Sequence, residues 1–145
     1  MKFKFFLLFA VALGLLAIFG YFQAVGKRET SPDQKISEPK ILVEPEQWDF
    51  GEVKYGQVLE YTFKVKNLGE KDLEIKRVAT SCACTTAKIS QEKIEPDQET
   101  SLLVTYDTGA MGELHGRGKQ ERIIYVKSND PEKPQVEVII RAIIK

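Results

Sequence analysis

Apolar and polar residues alternate in short runs from Ile41 to the end of the chain. In Val58–Lys66, apolar side chains fall at every second position from Leu59 onward, and charged or polar ones lie between them. Successive side chains of a β-strand point to opposite faces, so this pattern predicts a strand with one face in a core and the other in water. Similar runs predict six more strands, at Ile41–Val43, Leu73–Ile75, Thr85–Ile89, Leu102–Tyr106, Arg122–Lys127 and Val136–Ile144.

Turn-forming residues separate these runs, at 67–69, 95–97 and 129–131. After residue 25, no segment carries helical periodicity over ten residues or more. Short strands at such spacing are typical of two packed antiparallel sheets, and the 105 residues from Ile41 to Lys145 suit an immunoglobulin-type domain of about 100 residues. The sequence therefore predicts an all-β, immunoglobulin-like β-sandwich of about seven strands, preceded by one N-terminal transmembrane helix.

The N-terminal segment, residues 1–25, is almost wholly apolar after Lys2 and Lys4. As a helix, its 21 residues from Phe5 to Val25 reach about 31 Å, enough for a hydrocarbon core of roughly 30 Å. We expect an uncleaved signal anchor with the N-terminus inside. A cleaved signal peptide is the alternative and would leave the domain secreted. Either interpretation places the domain outside the cytoplasm, periplasmic or extracellular.

Residues 26–40 form a polar linker with a single apolar residue, Ile36, and two prolines. Such a segment cannot bury a core and is expected to be a solvated tether to the domain at 41–145. From Ile41 onward, 15 Lys and Arg stand against 18 Asp and Glu, a net charge of −3. Because the domain has no basic stripe to neutralise phosphates, we expect no nucleic-acid partner.

Cys82 and Cys84 are the only cysteines and the sharpest chemical feature. If both lie on one strand, they share a face with Cα atoms about 6.6 Å apart, so a disulfide between them needs a local bend. Three interpretations stay open: a local structural disulfide, a soft-metal site for Cu(I) or Zn(II), and a redox-active pair. His115 is a further metal ligand only if its loop folds back, and Lys76 and Arg77 are the cations expected to lower a thiol pKa.

No convergent catalytic set is present, so we expect no enzyme and no cofactor. His115 is the one histidine, and it lies in the segment 109–118, where four glycines predict a flexible inter-strand loop. A binding loop at one end of the sandwich is the alternative for that segment. No nucleophile motif accompanies the histidine.

Several aromatic and branched residues are candidates for the core or for an interaction surface. Trp48 and Phe50 flank Asp49 and are expected to fill the core. On the predicted hairpin of the last two strands, an outward apolar strip is a candidate partner surface unless a neighbouring segment covers it. Its residues are Ile123, Tyr125, Ile139 and Ile143. Strand addition at a sheet edge is a further possible binding mode.

A series of short motifs resembles a known bacterial family. These are Trp48–Val53, Phe63–Gly69, Leu73–Ile75, Ser81–Thr85, Ile94–Pro96 and Val126–Pro131. In that order they resemble the domain-of-unknown-function family 1573, which is similar to the immunoglobulin-like domains of hydin, spindle and sperm-protein relatives. The chain departs from the family pattern at Ala83 and Asp97, where glycine is usual. The resemblance implies the fold and an exported location, and it implies no activity.

We therefore expect a non-enzymatic, membrane-anchored interaction or structural module whose partner is another envelope protein. The alternative is a thiol-based metal-binding or redox protein that uses Cys82 and Cys84.

Overall fold

The computed structural model describes residues 38–145. The predicted anchor at 1–25 and all but the end of the predicted linker lie outside these residues. Within 38–145, no helix has the length and hydropathy needed to cross a membrane.

The described chain forms two β-sheets. Nine strands and one short helix follow one another as β1 Ile41–Glu44, β2 Gln47–Val53, β3 Val58–Asn67, β4 Leu73–Thr80, β5 Thr85–Ile89, β6 Lys93–Ile94, β7 Glu99–Asp107, α1 Glu113–Gly116, β8 Gly118–Ser128 and β9 Gln135–Ile144. The first sheet has the order β1-β3-β7-β5, and the second has the order β2-β9-β8-β4-β6. All neighbouring strands are antiparallel except β2 and β9, which are parallel. This confirms the all-β prediction of two sheets.

The prediction of about seven strands was wrong by two, β2 and β6. The pairing of β2 with β9 shifts register between Asp49 and Glu52, and Gly51 lies there with a φ of 70°. This irregularity interrupts the alternation by which strands are recognised in sequence. Strand β6 has only two residues and pairs with the start of β4 at Leu73 and Glu74. A two-residue strand is too short to show periodicity.

The core lies between the two sheets and is built from the alternating residues of the predicted strands. Every second residue of β9 is buried from Val138 to Ile144, as is every second residue of β7 from Leu102 to Tyr106. Phe63 and Val65 of β3, the neighbour of β7 in the first sheet, are fully buried. The period-two pattern therefore identifies the inner faces correctly.

Trp48 was wrongly predicted to fill the core. Its side chain is 38% exposed and stacks on Tyr61, with ring centroids 3.9 Å apart. Strand β1 pairs with only the second half of β3, from Lys64 to Asn67. The first half of β3, which carries Tyr61, is thus left at the lateral margin of the sandwich, where Trp48 covers it. Phe50 is partly buried and packs against the core.

The strands run between two ends of the sandwich, and each end carries its own set of turns. We call the end with the start of β1 and the turns at 67–72 and 129–134 the entry end, since the chain enters the domain there. The opposite end carries the turns at 54–57 and 81–84 and is called the disulfide end. The register of β1, β3 and β7 fixes this assignment, because Ile41 pairs with Asn67 while Val58 pairs with Asp107.

Gly69 shows how closely the chain packs at the entry end. A Cβ added there would overlap the Glu38 carbonyl oxygen and the Lys40 nitrogen, both backbone atoms. Backbone cannot move aside as a flexible side chain can, so Gly69→Ala should lower the free energy of unfolding by about 1–3 kcal/mol. Urea unfolding followed by the fluorescence of Trp48, the only tryptophan, measures this. Gly56→Ala is the comparison, since its added Cβ would meet nothing within 4 Å and only its φ of 82° is unfavourable.

Candidate functional site

Cys82 and Cys84 are joined by a disulfide in the turn between β4 and β5. Their Cα atoms are 5.3 Å apart, inside the usual disulfide range of roughly 4.4–6.8 Å. The Thr85 N–H donates to the Cys82 carbonyl oxygen at 3.3 Å, which closes the turn. The local bend that a disulfide between these two cysteines needs is therefore the turn by which the chain passes from β4 in the second sheet to β5 in the first. Of the three interpretations of the pair, the described state is the local disulfide.

The two sulfurs have different surroundings. Cys84 is 3% exposed and belongs to the core, whereas Cys82 is only partly buried. The Arg122 Nε–H donates to the Cys84 sulfur at 3.1 Å. The Thr85 hydroxyl contacts both sulfurs, at 3.5 Å from Cys82 and 3.8 Å from Cys84, so the Arg122 contact is what distinguishes them. Cys82 is thus the less buried of the two residues, and the Cys84 sulfur faces a permanent positive charge.

Arg122 is held in place by three further contacts. Its Nη2 donates to Gln120 Oε1 at 2.7 Å, and its Nη1 donates to the Glu121 carbonyl at 2.7 Å. The guanidinium carbon lies 5.3 Å from the centre of the Tyr106 ring, within range of a cation–π interaction. The charge beside Cys84 therefore has a fixed position.

The sequence prediction named the wrong cations, Lys76 and Arg77, since the structure places Arg122 at the sulfur. The alternation of residues along β8 could have identified Arg122 from the sequence. It shares a face of β8 with Ile124 and Val126, both of which are fully buried. An arginine at an inward position of a strand needs a polar or aromatic partner, and that requirement points to a specific contact.

Tyr106 completes the surroundings of the disulfide. It is buried, and its hydroxyl has no hydrogen-bond partner within residues 38–145. Burial raises the pKa of the Tyr106 phenol, while the nearby Arg122 charge lowers it in part and Asp107 raises it again. The ring therefore stays neutral beneath the guanidinium at physiological pH.

The metal-site interpretation finds no support in the described part of the chain. The two sulfurs are bonded to each other, whereas a cysteine binds a metal as its thiolate. Among residues 38–145, no three His, Cys, Asp or Glu side chains stand together as a metal would require. His115 lies exposed on α1.

The glycine-rich loop at 109–118 contains α1 and is tied to Tyr55. The Tyr55 hydroxyl donates to the Gly109 carbonyl at 3.1 Å, and the Arg117 guanidinium lies 5.0 Å from the centre of the ring. Gly116 is buried against the same ring, where a Cβ would approach Tyr55 to 3.1 Å. The glycines thus allow close packing as well as turns.

The four residues of the predicted apolar strip lie on the outer face of the second sheet. Ile123 pairs with Ile139, and Tyr125 pairs with Glu137 on one side and Ala79 on the other. Ile143 lies further along β9, beyond an exposed ion pair between Arg141 and Glu121. All four side chains are half-buried rather than fully exposed. The described strands form only two layers, so no third layer of strands covers this face.

Two cations stand side by side at one end of this strip. Arg77 of β4 pairs with Lys127 of β8, and both side chains are exposed without an ion-pair partner among the described residues. With Ala79, Tyr125 and Gln135 they line a depression of about 270 Å³. Like charges at directly opposed positions of two strands destabilise the sheet slightly. A bound carboxylate would remove this repulsion.

The motifs at the entry end serve the fold. Asn67 and Asp130 are both buried, and their side chains bond to backbone groups of neighbouring segments. Asn129 donates to the Asp72 carbonyl and accepts from the Glu74 N–H, joining two turns.

Residues 41–144 match the family described as protein of unknown function (DUF1573). The chain belongs to this family. Its entry-end motifs thus have a structural explanation, and the cysteine motif is the one with accessible chemistry.

Solved structures show the same fold at low sequence identity. A protein of unknown function from Porphyromonas gingivalis W83 is 20% identical, with a TM-score of 0.66 over 79% of this chain and 50% of that one. The ASH/PapD-like domain 7 of human CEP192 is 12% identical, with a TM-score of 0.56 over 83% and 95%. The periplasmic chaperone SfaE is 12% identical, with a TM-score of 0.52 over 73% and 58%. The DUF1573 domain therefore has an immunoglobulin-like, PapD-like sandwich and spans half of the Porphyromonas protein.

None of the curated proteins compared with the chain matches it.

Proposed function

We propose that this DUF1573 chain is a protein-interaction module rather than an enzyme, held outside the cytoplasm by a single-pass anchor at residues 5–25. The supporting observation is the outer face of β8 and β9, where Ile123 pairs with Ile139 and Tyr125 follows two residues further along β8 on the same face. An apolar centre with a charged surround is the usual composition of a docking surface. If the anchor segment is cleaved, the same module is secreted.

The proposed partner is a segment of another envelope protein that presents apolar side chains next to a carboxylate. The apolar side chains would cover Ile123 and Ile139, and the carboxylate would lie between Arg77 and Lys127, whose charges have no described partner. Tyr125 lies between these two elements and lines the depression beside the cations. Both features lie on one face, so one short segment can contact them together.

The test uses the full chain in detergent and a display library of random peptides. Selected peptides should combine at least two apolar residues with Asp or Glu. Ile139→Glu should weaken their binding at least tenfold, about 1.4 kcal/mol, because it places a charge in the apolar centre. Fluorescence anisotropy with labelled peptides measures this change. Lys127→Glu and added salt should weaken binding several-fold, since the carboxylate contact is exposed and screened.

Leu103→Glu is the matched control. Leu103 is 38% exposed and outward-facing on β7, so it carries the same change on the outer face of the other sheet. It should leave the affinity within about twofold, as a surface change outside the interface does. Equal losses from both variants, or selected peptides without acidic residues, would contradict the proposal. So would self-association of the chain that Ile139→Glu abolishes, because the occupant would then be a second copy.

A further inference from the structure

The disulfide has a chemical asymmetry that docking on β8 and β9 does not require. Cys82 is only partly buried, whereas Cys84 is buried and its sulfur accepts a hydrogen bond from the Arg122 guanidinium at 3.1 Å. A disulfide with only a structural role needs no charge fixed at one of its two sulfurs.

We propose that the Cys82–Cys84 disulfide exchanges with external thiols, with Cys82 as the attacked sulfur and Cys84 as the leaving group. A thiolate of a protein or small-molecule thiol forms a bond to the Cys82 sulfur, and the bond between the two sulfurs breaks. The electron pair of the broken bond stays on Cys84, which leaves as a thiolate beside Arg122. A second thiolate then displaces Cys82 from the mixed disulfide. In total, two external thiols are oxidised to one disulfide, and the chain gains two electrons and two protons.

Arg122 makes Cys84 the better leaving group. Thiol–disulfide exchange is faster when the departing thiol has a low pKa. Burial alone raises the pKa of a thiol, but a neighbouring arginine lowers it by stabilising the thiolate. The guanidinium stays protonated at all relevant pH values, and its contacts with Gln120 and Glu121 fix it in position. Attack at Cys84 is disfavoured by its burial, and Cys82 is the less buried residue of the two.

The small ring allows the bond to open without loss of the fold. The disulfide joins residues only two apart in sequence. In the chain-entropy account, stabilisation by a disulfide increases with the length of the loop it closes, so this bond contributes little by that route. The turn is also held by the Thr80 hydroxyl, whose one proton is shared between the carbonyl oxygens of Cys82 and Thr85 at 3.0 and 2.9 Å. The reduced chain should therefore keep its native Trp48 fluorescence.

The first experiment maps the mixed disulfide on the unmodified chain. The full chain in detergent is mixed with glutathione, quenched with acid and analysed by peptide mass mapping. Glutathione should be found on Cys82 and not on Cys84. An oxidised peptide of residues 80–86 is the reference, because both of its sulfurs are accessible and it should give both products. Glutathione on Cys84 of the folded chain would overturn the proposal. So would the absence of any mixed disulfide together with resistance to dithiothreitol under native conditions.

The second experiment tests Arg122. Arg122→Gln should slow reduction by dithiothreitol about three- to tenfold at neutral pH, because the leaving thiolate loses its adjacent charge. Arg122→Lys should recover part of the rate. Arg141→Gln removes an arginine from the outer face of the neighbouring strand, where it pairs with Glu121, and should leave the rate unchanged. An Arg122→Gln rate equal to the Arg141→Gln rate, with native Trp48 fluorescence in both, would refute the role of Arg122. The mapping experiment needs no variant and decides the direction of attack even if Arg122→Gln fails to fold.

Discussion

Replacing Asn67 by alanine should lower the free energy of unfolding by about 3–5 kcal/mol. The Asn67 side chain is fully buried and uses all of its hydrogen-bonding groups. Its Oδ1 accepts from the N–H groups of Lys40 and Gly69 at 3.3 and 2.9 Å, and its Nδ2 donates to the carbonyls of Lys71 and Ile94 at 2.8 and 2.9 Å. Alanine would leave these backbone groups without their partner in a buried site. Urea unfolding of the full chain in detergent, followed by Trp48 fluorescence, measures the loss.

Asn129→Ala provides a graded comparison, since Asn129 is the only other asparagine. It is half-buried and makes two side-chain bonds, to Asp72 and Glu74. Its replacement should cost about 1–2 kcal/mol. A loss below about 1 kcal/mol for Asn67→Ala would mean that water or rearranged backbone satisfies the freed groups. The hydrogen-bond account of the entry end would then be wrong.

Acidification should destabilise the domain through Asp130, the second large effect. Burial by itself raises the pKa of the Asp130 carboxyl. The carboxylate, however, accepts hydrogen bonds from the backbone N–H groups of Ile41, Lys133 and Glu132, and these bonds hold its pKa below the ordinary value of 3.8. A carboxyl with a lowered folded pKa stabilises the fold above its unfolded pKa. That contribution is lost as the pH falls through the folded pKa. The loss should therefore begin below about pH 5 and deepen with further acid.

Asp130→Asn should remove this part of the acid sensitivity and lower stability at pH 7 by about 2–3 kcal/mol. Asp130 is 2% exposed, and its Oδ2 accepts the Ile41 N–H at 2.8 Å, so an amide NH₂ group cannot replace both acceptor oxygens. Unfolding free energies between pH 3 and pH 7 measure the effect. Asp97→Asn is the control, because Asp97 is exposed and asparagine accepts its φ of 60° equally well. An unchanged pH profile in Asp130→Asn would show that other carboxyls govern acid stability.

The sequence predicted the architecture well because the core depends on period-two alternation. Strands β3, β5, β7 and β9 lie where the apolar runs indicate them, and the inner faces of β3, β7 and β9 are the predicted ones. The alternation could not reveal β2, where the ladder shifts register near Gly51, or β6, which has two residues. Trp48 was misplaced because sequence does not show that β1 is too short to cover the whole of β3.

The candidate sites were predicted less completely, since they depend on contacts between distant segments. The Cys82–Cys84 pair was visible from spacing, but its charged neighbour comes from β8, 38 residues beyond Cys84. The pairing of Ile123 with Ile139 was predictable, because a hairpin fixes register. The opposition of Arg77 and Lys127 was not, because β4 and β8 are remote in sequence and their ladder shifts register near Ile75.

The position of β1 gives the domain a defined response to mechanical tension. Four residue pairs join β1 to β3 at the sheet edge, and Asp130 holds the Ile41 N–H where the chain enters. A pulling force applied between residue 38 and a point of attachment at the disulfide end would run parallel to these strands. Bonds loaded in this direction share the force and must break together, whereas a peeling load would break them singly. Under such a load the residue pairs of β1 act as one unit, and the sandwich stays intact until they fail together.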